Sequence, residues 1–381
     1  MHISSGFLLE PTDAPWITAD EAPATGTQFP VTPANPTQSP PICSRANKTV
    51  AVCGGSDVPC FDTLFREAWF PMRIVFFGTP NFAVPSLVAL AEADHEIKAV
   101  VTKPDRPRGR GQRLQAPPVK VSALERGLPV FQPGHPWEVT DQLRHLAPEV
   151  FVVAAYYHIL KPELLAIPSK CSLNVHASLL PKFRGAAPIQ RAIQAGEIQT
   201  GISIIYMDDG MDTGDVALQR TIPIGPNDTG GTLTDKLACL GAEVIVEALQ
   251  LLEKSELPRT PQNHDQATYA HLLEKKEGEI DWSRSAEEID RQVRAFDPWP
   301  GTITSTGGRP LKIRGASAID DYYPPKVPGT VQQVIEGRGI VVQTGKGCVL
   351  VTKVQPSNRK VMSSWSYANG YGLTAASILG D

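Results

Sequence analysis

Four apolar runs constrain this chain more than any other feature. They are Arg73–Gly78 (RIVFFG), 97–102 (IKAVVT), 149–156 (EVFVVAAY) and Cys171–His176 (CSLNVH). Each is too short for a core helix, and the first three lack the apolar–polar alternation of a strand with one wet face, while CSLNVH alternates and reads as a fourth strand beside them. The unbroken runs read as strands buried on both sides. Between them lie stretches with helical spacing at 82–93, 117–127 and 137–146. Strands that alternate with helices predict an α/β fold, a doubly wound and mostly parallel sheet covered on both faces. Ligands of such sheets bind in the crevice outside the carboxyl ends of the strands. Asn174 and His176 stand at one of those ends, two residues apart, so they share a face.

The pattern continues with a helix at 187–195, strands at 201–207 and 216–224, and a long helix at 233–252. Residues 257–266 (LPRTPQNHDQ) have two prolines and no apolar period, and they read as a connector. After a helix at 286–296 come short β runs at 302–305, 310–316, 330–335, 339–343 and 348–354, separated by Gly and Pro. That pattern predicts a small open β-barrel. The expected division is a tail at 1–71, a catalytic domain at 72–256, a linker at 257–275 and a barrel domain at 276–381.

The tail differs in composition. It holds ten of the 35 prolines, three Lys or Arg and seven Asp or Glu, and no period survives in it. It reads as disordered and without secretory or mitochondrial character, which leaves Met72 as a candidate start. Beyond it, 33 basic and 33 acidic residues balance, so charge-driven binding must come from clustering. Six cysteines without a C-x-x-C exclude a disulfide scaffold and argue against a zinc ribbon. No apolar run approaches the ~20 residues of a membrane span.

The first strand ends in GTPNFAVP, without the G-x-G-x-x-G of a dinucleotide site. No G-x-S-x-G surrounds Ser178, so a hydrolase elbow is not expected. The Asn174–His176 pair alone reads as satisfied polar groups at a strand end. The loop 207–215 (MDDGMDTGD) adds four carboxylates after another apolar strand, at what can be the same sheet edge. Its spacing is not that of a calcium loop. Residues alone leave Asp208, Asp209, Asp212 and Asp215 equivalent, as turn residues or as acid–base groups. Lys103, Arg106, Arg108, Arg110 and Arg113 put five cations in eleven residues, against Asp105 alone. Interspersed Gly and Pro forbid a regular helix there, and a flexible basic loop suits phosphate contacts at an RNA end.

FFGTPNFA, PDRPRGRG, NVHASLLPKFRGAAPIQRAI, GISIIYMDDGMDTGDV and RAFDPWPG together resemble the methionyl-tRNA formyltransferase family, over about residues 72–364. The Asn-x-His-x-Ser-Leu-Leu-Pro pattern with the later Asp-x-Gly belongs to all formyltransferases that use 10-formyltetrahydrofolate. The resemblance implies a formyltransferase-type sheet domain and a C-terminal domain of the oligonucleotide-binding kind. It implies formyl transfer from 10-formyltetrahydrofolate to the α-amine of methionyl-initiator tRNA, in the cytoplasm, without metal, membrane or stable protein partner. Asn174 and His176 would stabilise the oxyanion, and Asp212, selected by the family match, would take the amine proton. Ser178, Leu179, Leu180 and Pro181 would line the folate site. Arg106, Arg108, Arg110 and Arg113 would bind tRNA, with Arg110 at the acceptor stem. Lys353, Arg359 and Lys360 would add a modest patch. Two departures stand out. Tyr156-Tyr157-His158 replaces the family's Tyr-Gly and narrows the expected folate pocket, and the sequence after Trp365 matches poorly. Two other readings are a formyltransferase for a small amine, such as glycinamide ribonucleotide or an amino sugar nucleotide, and an RNA-binding protein with an inactive catalytic domain.

Overall fold

The computed structural model describes residues 71–108 and 112–381. The tail reading, the start at Met72, Cys43, Cys53, Cys60 and Arg110 therefore fall outside the described residues, apart from Pro71 and Met72 themselves.

The expected strands form. In chain order the first half contains β1 (Arg73–Gly78), α1 (Val84–Glu92), β2 (Glu96–Val101), β3 (Arg106–Arg108), β4 (Arg113–Gln115), α2 (Pro118–Glu125), β5 (Val130–Phe131), α3 (Thr140–His145), β6 (Val150–Ala154), α4 (Pro162–Leu165) and β7 (Cys171–His176). It continues with α5 (Pro188–Ala195), β8 (Gln199–Tyr206), β9 (Val216–Pro223) and α6 (Gly230–Glu253). Seven strands make one sheet in the order β5-β2-β1-β6-β7-β8-β9. Pairing is parallel from β5 to β7, while β8 is antiparallel to both neighbours. Ile74, Val75, Phe76 and Phe77 of β1 and all of β6 are buried, as strands covered on both faces require. Burying each large apolar side chain contributes about 1.5–3 kcal/mol.

One face packs on α1 and α6, the other on α3 and α4 with Tyr156, Leu160 and Leu164. α6 starts with a reciprocal cap: Thr229 Oγ1 accepts from Thr232 N, and Thr232 Oγ1 accepts from Thr229 N. Gly241 lets this helix close on β7, because a Cβ there would sit 2.9 Å from Val175 Cγ1. The helix thus presses on the strand that carries Asn174 and His176.

The second half begins with α7 (Ala286–Ala295), followed by β10 (Thr302–Thr306), β11 (Arg309–Ile319), β12 (Val331–Ile335), β13 (Gly339–Gln343), β14 (Cys348–Pro356), β15 (Met362–Ser363) and α8 (Ser364–Tyr371). Its strands pair antiparallel in the order β10-β11-β14-β13-β12, with β15 on β14. The path stays open between β12 and β10, so the pairing is that of a sheet rather than a closed ring. The chain end fills the gap. Leu379 N donates to Gly329 O, Gly380 N donates to Ser305 O, and the Leu379 side chain is buried.

Residues 257–275 are not a loose tether. Val216 bridges Thr260, and Arg184 bridges Tyr269. Arg191 of α5 makes a two-pronged contact with Glu277 at 2.6 and 3.0 Å, and Gln292 of α7 donates to the Glu277 and Glu279 carbonyls. Among the described residues, no helix is long and apolar enough to cross a membrane.

Candidate active site

A cleft of about 740 Å³ opens at the carboxyl ends of the parallel strands. Segments after β1, β2 and β6 line it, together with the end of β7, the start of α5 and the loop 207–212. This is the crevice that the doubly wound topology calls for.

Asn174, His176 and Asp212 meet in its wall. Asn174 Nδ2 donates to Asp212 Oδ1 at 3.3 Å. Gly185 N donates to Asp212 Oδ2 at 2.8 Å. His176 Nδ1 stands 3.5 Å from Asp212 Oδ1, and its Nε2 lies 3.1 Å from the Phe183 carbonyl. A carbonyl only accepts, so Nε2 carries a hydrogen. The other ring nitrogen, Nδ1, is then the one that can gain or release a proton, and it faces the carboxylate. The His176 and Asp212 side chains are only 6% and 15% exposed, so their interaction is poorly screened.

The loop reaches this place by a route the sequence does not suggest. Because β8 is antiparallel, Tyr206 at its end pairs with Leu173 near the start of β7, while His176 pairs with Ser203. The loop therefore leaves from the opposite edge to the one expected. It folds back over the sheet face on which Asn174 and His176 project. Gly214 makes the fold tight, since a Cβ there would lie 1.7 Å from Tyr206 O. Asp212 itself has φ of 55°, in the left-handed region. Its three acidic neighbours are spoken for or point away. Asp208 Oδ1 accepts from Gly210 N and Thr213 Oγ1, Asp215 pairs with Arg259 at 2.7 Å, and Asp209 is exposed.

Ser178, Leu179, Leu180 and Pro181, expected at a folate site, directly follow Ala177 of the cleft lining. They form a turn stitched to β8 and β9 behind it. Ser178 Oγ donates to Lys182 O, Ser203 Oγ donates to Ser178 O, and Gln219 Nε2 donates to Leu180 O. Ser178 is fully buried.

The cleft walls come from residues that periodicity could not single out. Phe82, Tyr156, Tyr157, Ile159 and Leu160 are among the apolar residues of the lining, and of these Tyr157 and Ile159 are exposed. Thr79 Oγ1 and Tyr156 Oη are buried in the wall without a hydrogen-bond partner among the described residues. Burial, with Glu138 second, pushes the Tyr156 hydroxyl up to about 12, so it remains a donor. Tyr157 has φ of 60° and carries Lys103 Nζ 5.6 Å from its ring centre.

The basic segment is a hairpin rather than a free loop, with β3 and β4 paired from Arg106–Gln115 to Arg108–Arg113. Lys103 and Arg106 line the cleft, and Arg113, across the hairpin from Arg108, is exposed. Asp105 does not neutralise them. Its carboxyl bonds Gln132 and Lys120, which hold it below its usual range. Burial lowers the Lys103 ammonium, and Arg106 lowers it further. His158 is lowered by burial and then by Lys103. Lys103, Arg106 and Arg113 have no ion-pair partner among the described residues, so this rim is electropositive. In the second half, Lys353, Arg359 and Lys360 are exposed at and beyond the end of β14.

Family models agree with the two halves. Residues 72–249 match "Formyl transferase" and residues 272–372 match "Formyl transferase, C-terminal domain". The methionyl-tRNA formyltransferase of Moorella thermoacetica is 48% identical over 313 residues, covering 81% of this chain and 99% of that protein. That of Marinobacter nauticus is 49% identical over 301 residues, 78% and 96% of the two chains. Among solved structures, the sugar 3N-formyl transferase WlaRD superposes with a TM-score of 0.57 at 20% identity, covering 77% of this chain and all of that one. HypX from Aquifex aeolicus in complex with tetrahydrofolic acid gives 0.55 at 19% identity, covering 79% and 47%. At such identities these two report the fold alone.

Proposed function

The chain belongs to the methionyl-tRNA formyltransferase family, and we propose that it moves the formyl group of 10-formyltetrahydrofolate onto the α-amine of methionyl-initiator tRNA. The products are N-formylmethionyl-tRNA and tetrahydrofolate. The proposal places this reaction in the cytoplasm.

The observation that carries the reading is the convergence of Asn174, His176 and Asp212 on the wall of a cleft with an unneutralised basic rim. The cleft suits a folate. Its size is within the range of about 300–1,000 Å³ usual for such ligands. The exposed Tyr157 ring among its lining residues suits a flat ring. The rim of Lys103 and Arg106 suits the phosphates of an RNA end, and Arg108, Arg110 and Arg113 belong to the same basic run.

When bound, the folate supplies an activated formyl carbon. The chain's own residues do the rest. One hydrogen of Asn174 Nδ2 is held by Asp212. The other is free to meet negative charge as it develops on the formyl oxygen. A donor of this kind is worth about 3–4 kcal/mol. Asp212 accepts the proton that the attacking amine must shed, directly or through a water. His176 Nδ1 beside it can hold that proton, and the imidazolium so formed adds positive charge near the oxyanion. The proton ends on N10 of the folate as its bond to the formyl carbon breaks and tetrahydrofolate leaves. The Phe183 carbonyl and Gly185 N–H fix the ring and the carboxylate in place.

The test is a transfer assay with 10-formyltetrahydrofolate and four acceptors: methionyl-initiator tRNA, methionyl-elongator tRNA, glycinamide ribonucleotide and an amino sugar nucleotide. Formylation of the first well above the others is expected. Preference for a small amine would replace this reading with the small-amine one. No transfer to any acceptor, with tRNA binding intact, would favour a dead catalytic domain.

A further inference from the structure

We propose that Gln262, oriented by the buried Arg184, is a positioning residue that holds Asp212 in its working conformation, which makes the connector between the two halves a part of the active site. The proposal rests on the formyltransferase reading above.

Gln262 Nε2 donates to two backbone carbonyls, Asp212 O at 2.9 Å and Gly214 O at 2.7 Å. One side chain thus grips the backbone directly after the residue that sits at φ of 55°, at its own carbonyl and at the carbonyl two residues on. A non-glycine residue in that region persists only where its surroundings over-determine it. The grip requires the amide to present nitrogen, not oxygen, to the loop. Arg184 dictates that choice. Its Nε and Nη2 both donate to Gln262 Oε1, at 3.2 and 2.7 Å. A guanidinium cannot accept a hydrogen bond and is always protonated, so the amide cannot flip without setting donors against donors.

Arg184 is 2% exposed, and the partners of its side chain are neutral: Gln262 and His264 Nδ1, at 3.1 Å. Burying a cation without a carboxylate is unfavourable for stability. A packing role alone would be served as well by an apolar side chain. The expense makes sense if the charge is there to fix an amide. Arg184 is itself seated by main-chain bonds to the connector, from its N to Thr268 O and from Ala270 N to its O. It also directly precedes Gly185, whose N–H binds the Asp212 carboxylate. Both ends of Asp212, backbone and side chain, therefore depend on the same seam between the Phe183–Gly185 turn and the connector.

Two variants test this. Gln262→Met keeps the volume and removes both donors. Arg184→Met removes the cation, so folding is not put at risk by an unpaired charge, but the amide loses its orientation. In both, kcat for formylation is expected to fall about tenfold to a hundredfold, as for a reactive group displaced by about an ångström. KM for both substrates should stay within twofold, and amide hydrogen exchange across 207–215 should quicken. A packing residue would change melting temperature without that division between kcat and KM. Parental kcat in either folded variant, a loss confined to KM, or unchanged exchange across 207–215 would overturn the proposal. If the parent protein formylates none of the acceptors, the functional reading falls, and the exchange measurement still decides whether the clamp exists.

Discussion

Replacing Asp212 by asparagine changes almost no volume and removes one charge. The carboxylate accepts from Gly185 N at 2.8 Å through one oxygen, and from Asn174 at 3.3 Å through the other, which also faces His176 Nδ1 at 3.5 Å. An asparagine has a single oxygen. The Gly185 N–H is part of the backbone and cannot turn away, so the oxygen goes there. The new NH2 then points at the Asn174 NH2 and at His176 Nδ1. It drives the Asn174 amide off its position and occupies the lone pair of Nδ1, while Nε2 stays on the Phe183 carbonyl. The site loses its proton acceptor and misdirects its oxyanion donor in one step. General-base loss alone is worth a factor of about 10²–10⁴ in kcat, or roughly 2.7–5.5 kcal/mol at 1.36 kcal/mol per tenfold. Folding should change by about 1 kcal/mol, because the Gly185 bond is kept and one buried charge disappears. The assay is single-turnover formylation of methionyl-initiator tRNA at saturating folate, with a melting curve beside it. A rate within tenfold of the parent in a folded Asp212→Asn protein would refute the assignment of this carboxylate.

Three further outcomes follow from the same structure. Arg106→Ala should raise KM for tRNA and lower the slope of log KM against log salt by about 1, with kcat unchanged, because this cation is unpaired at the rim. Glu288 caps α7 through Ser285, whose backbone N–H, ahead of Arg284, holds the carboxyl down to about 2. A depressed folded pKa contributes stability above the unfolded value and loses it as pH falls through the folded one. Glu288→Ala should therefore melt below the parent at pH 7, and the gap should close between about pH 4.5 and pH 2. Removal of residues 376–381 takes away the backbone bonds to Gly329, Val331 and Ser305 and the buried Leu379. The loss of that side chain alone is worth about 1.5–3 kcal/mol, and hydrogen exchange should quicken in β10 and β12.

Much of the frame was legible because it rests on local signals. The apolar runs at 73–78, 149–156 and 171–176 had one stable use, and the strands form there. The direction of β8 was not legible. A helix precedes it, as in a parallel crossover, yet α5 packs on α6 and α7 and the strand runs back. Tertiary packing settled that, and with it the path of the Asp212 loop. Among four carboxylates, the sequence could choose only by resemblance. Geometry separates them by partner: a turn for Asp208, Arg259 for Asp215, Asn174 and His176 for Asp212. The bonds that tie the Ser178–Pro181 segment to β8 and β9 had no sequence signal, because they join residues far apart in the chain. The contacts of the connector were not legible either, because single bridges and one glutamine leave no periodic trace.

The central claim is that Asn174 and Asp212 act as one unit on one formyl carbon, and a double-mutant cycle on the rate of formyl transfer measures that directly. Groups that work together lose their effect together. Asn174→Ala is expected to cost about 10²–10³ in kcat, and adding it to Asp212→Asn should slow the reaction less than about tenfold beyond the worse single change. Losses that multiply in full would mean that the two side chains serve separate steps, and the site as described would be wrong.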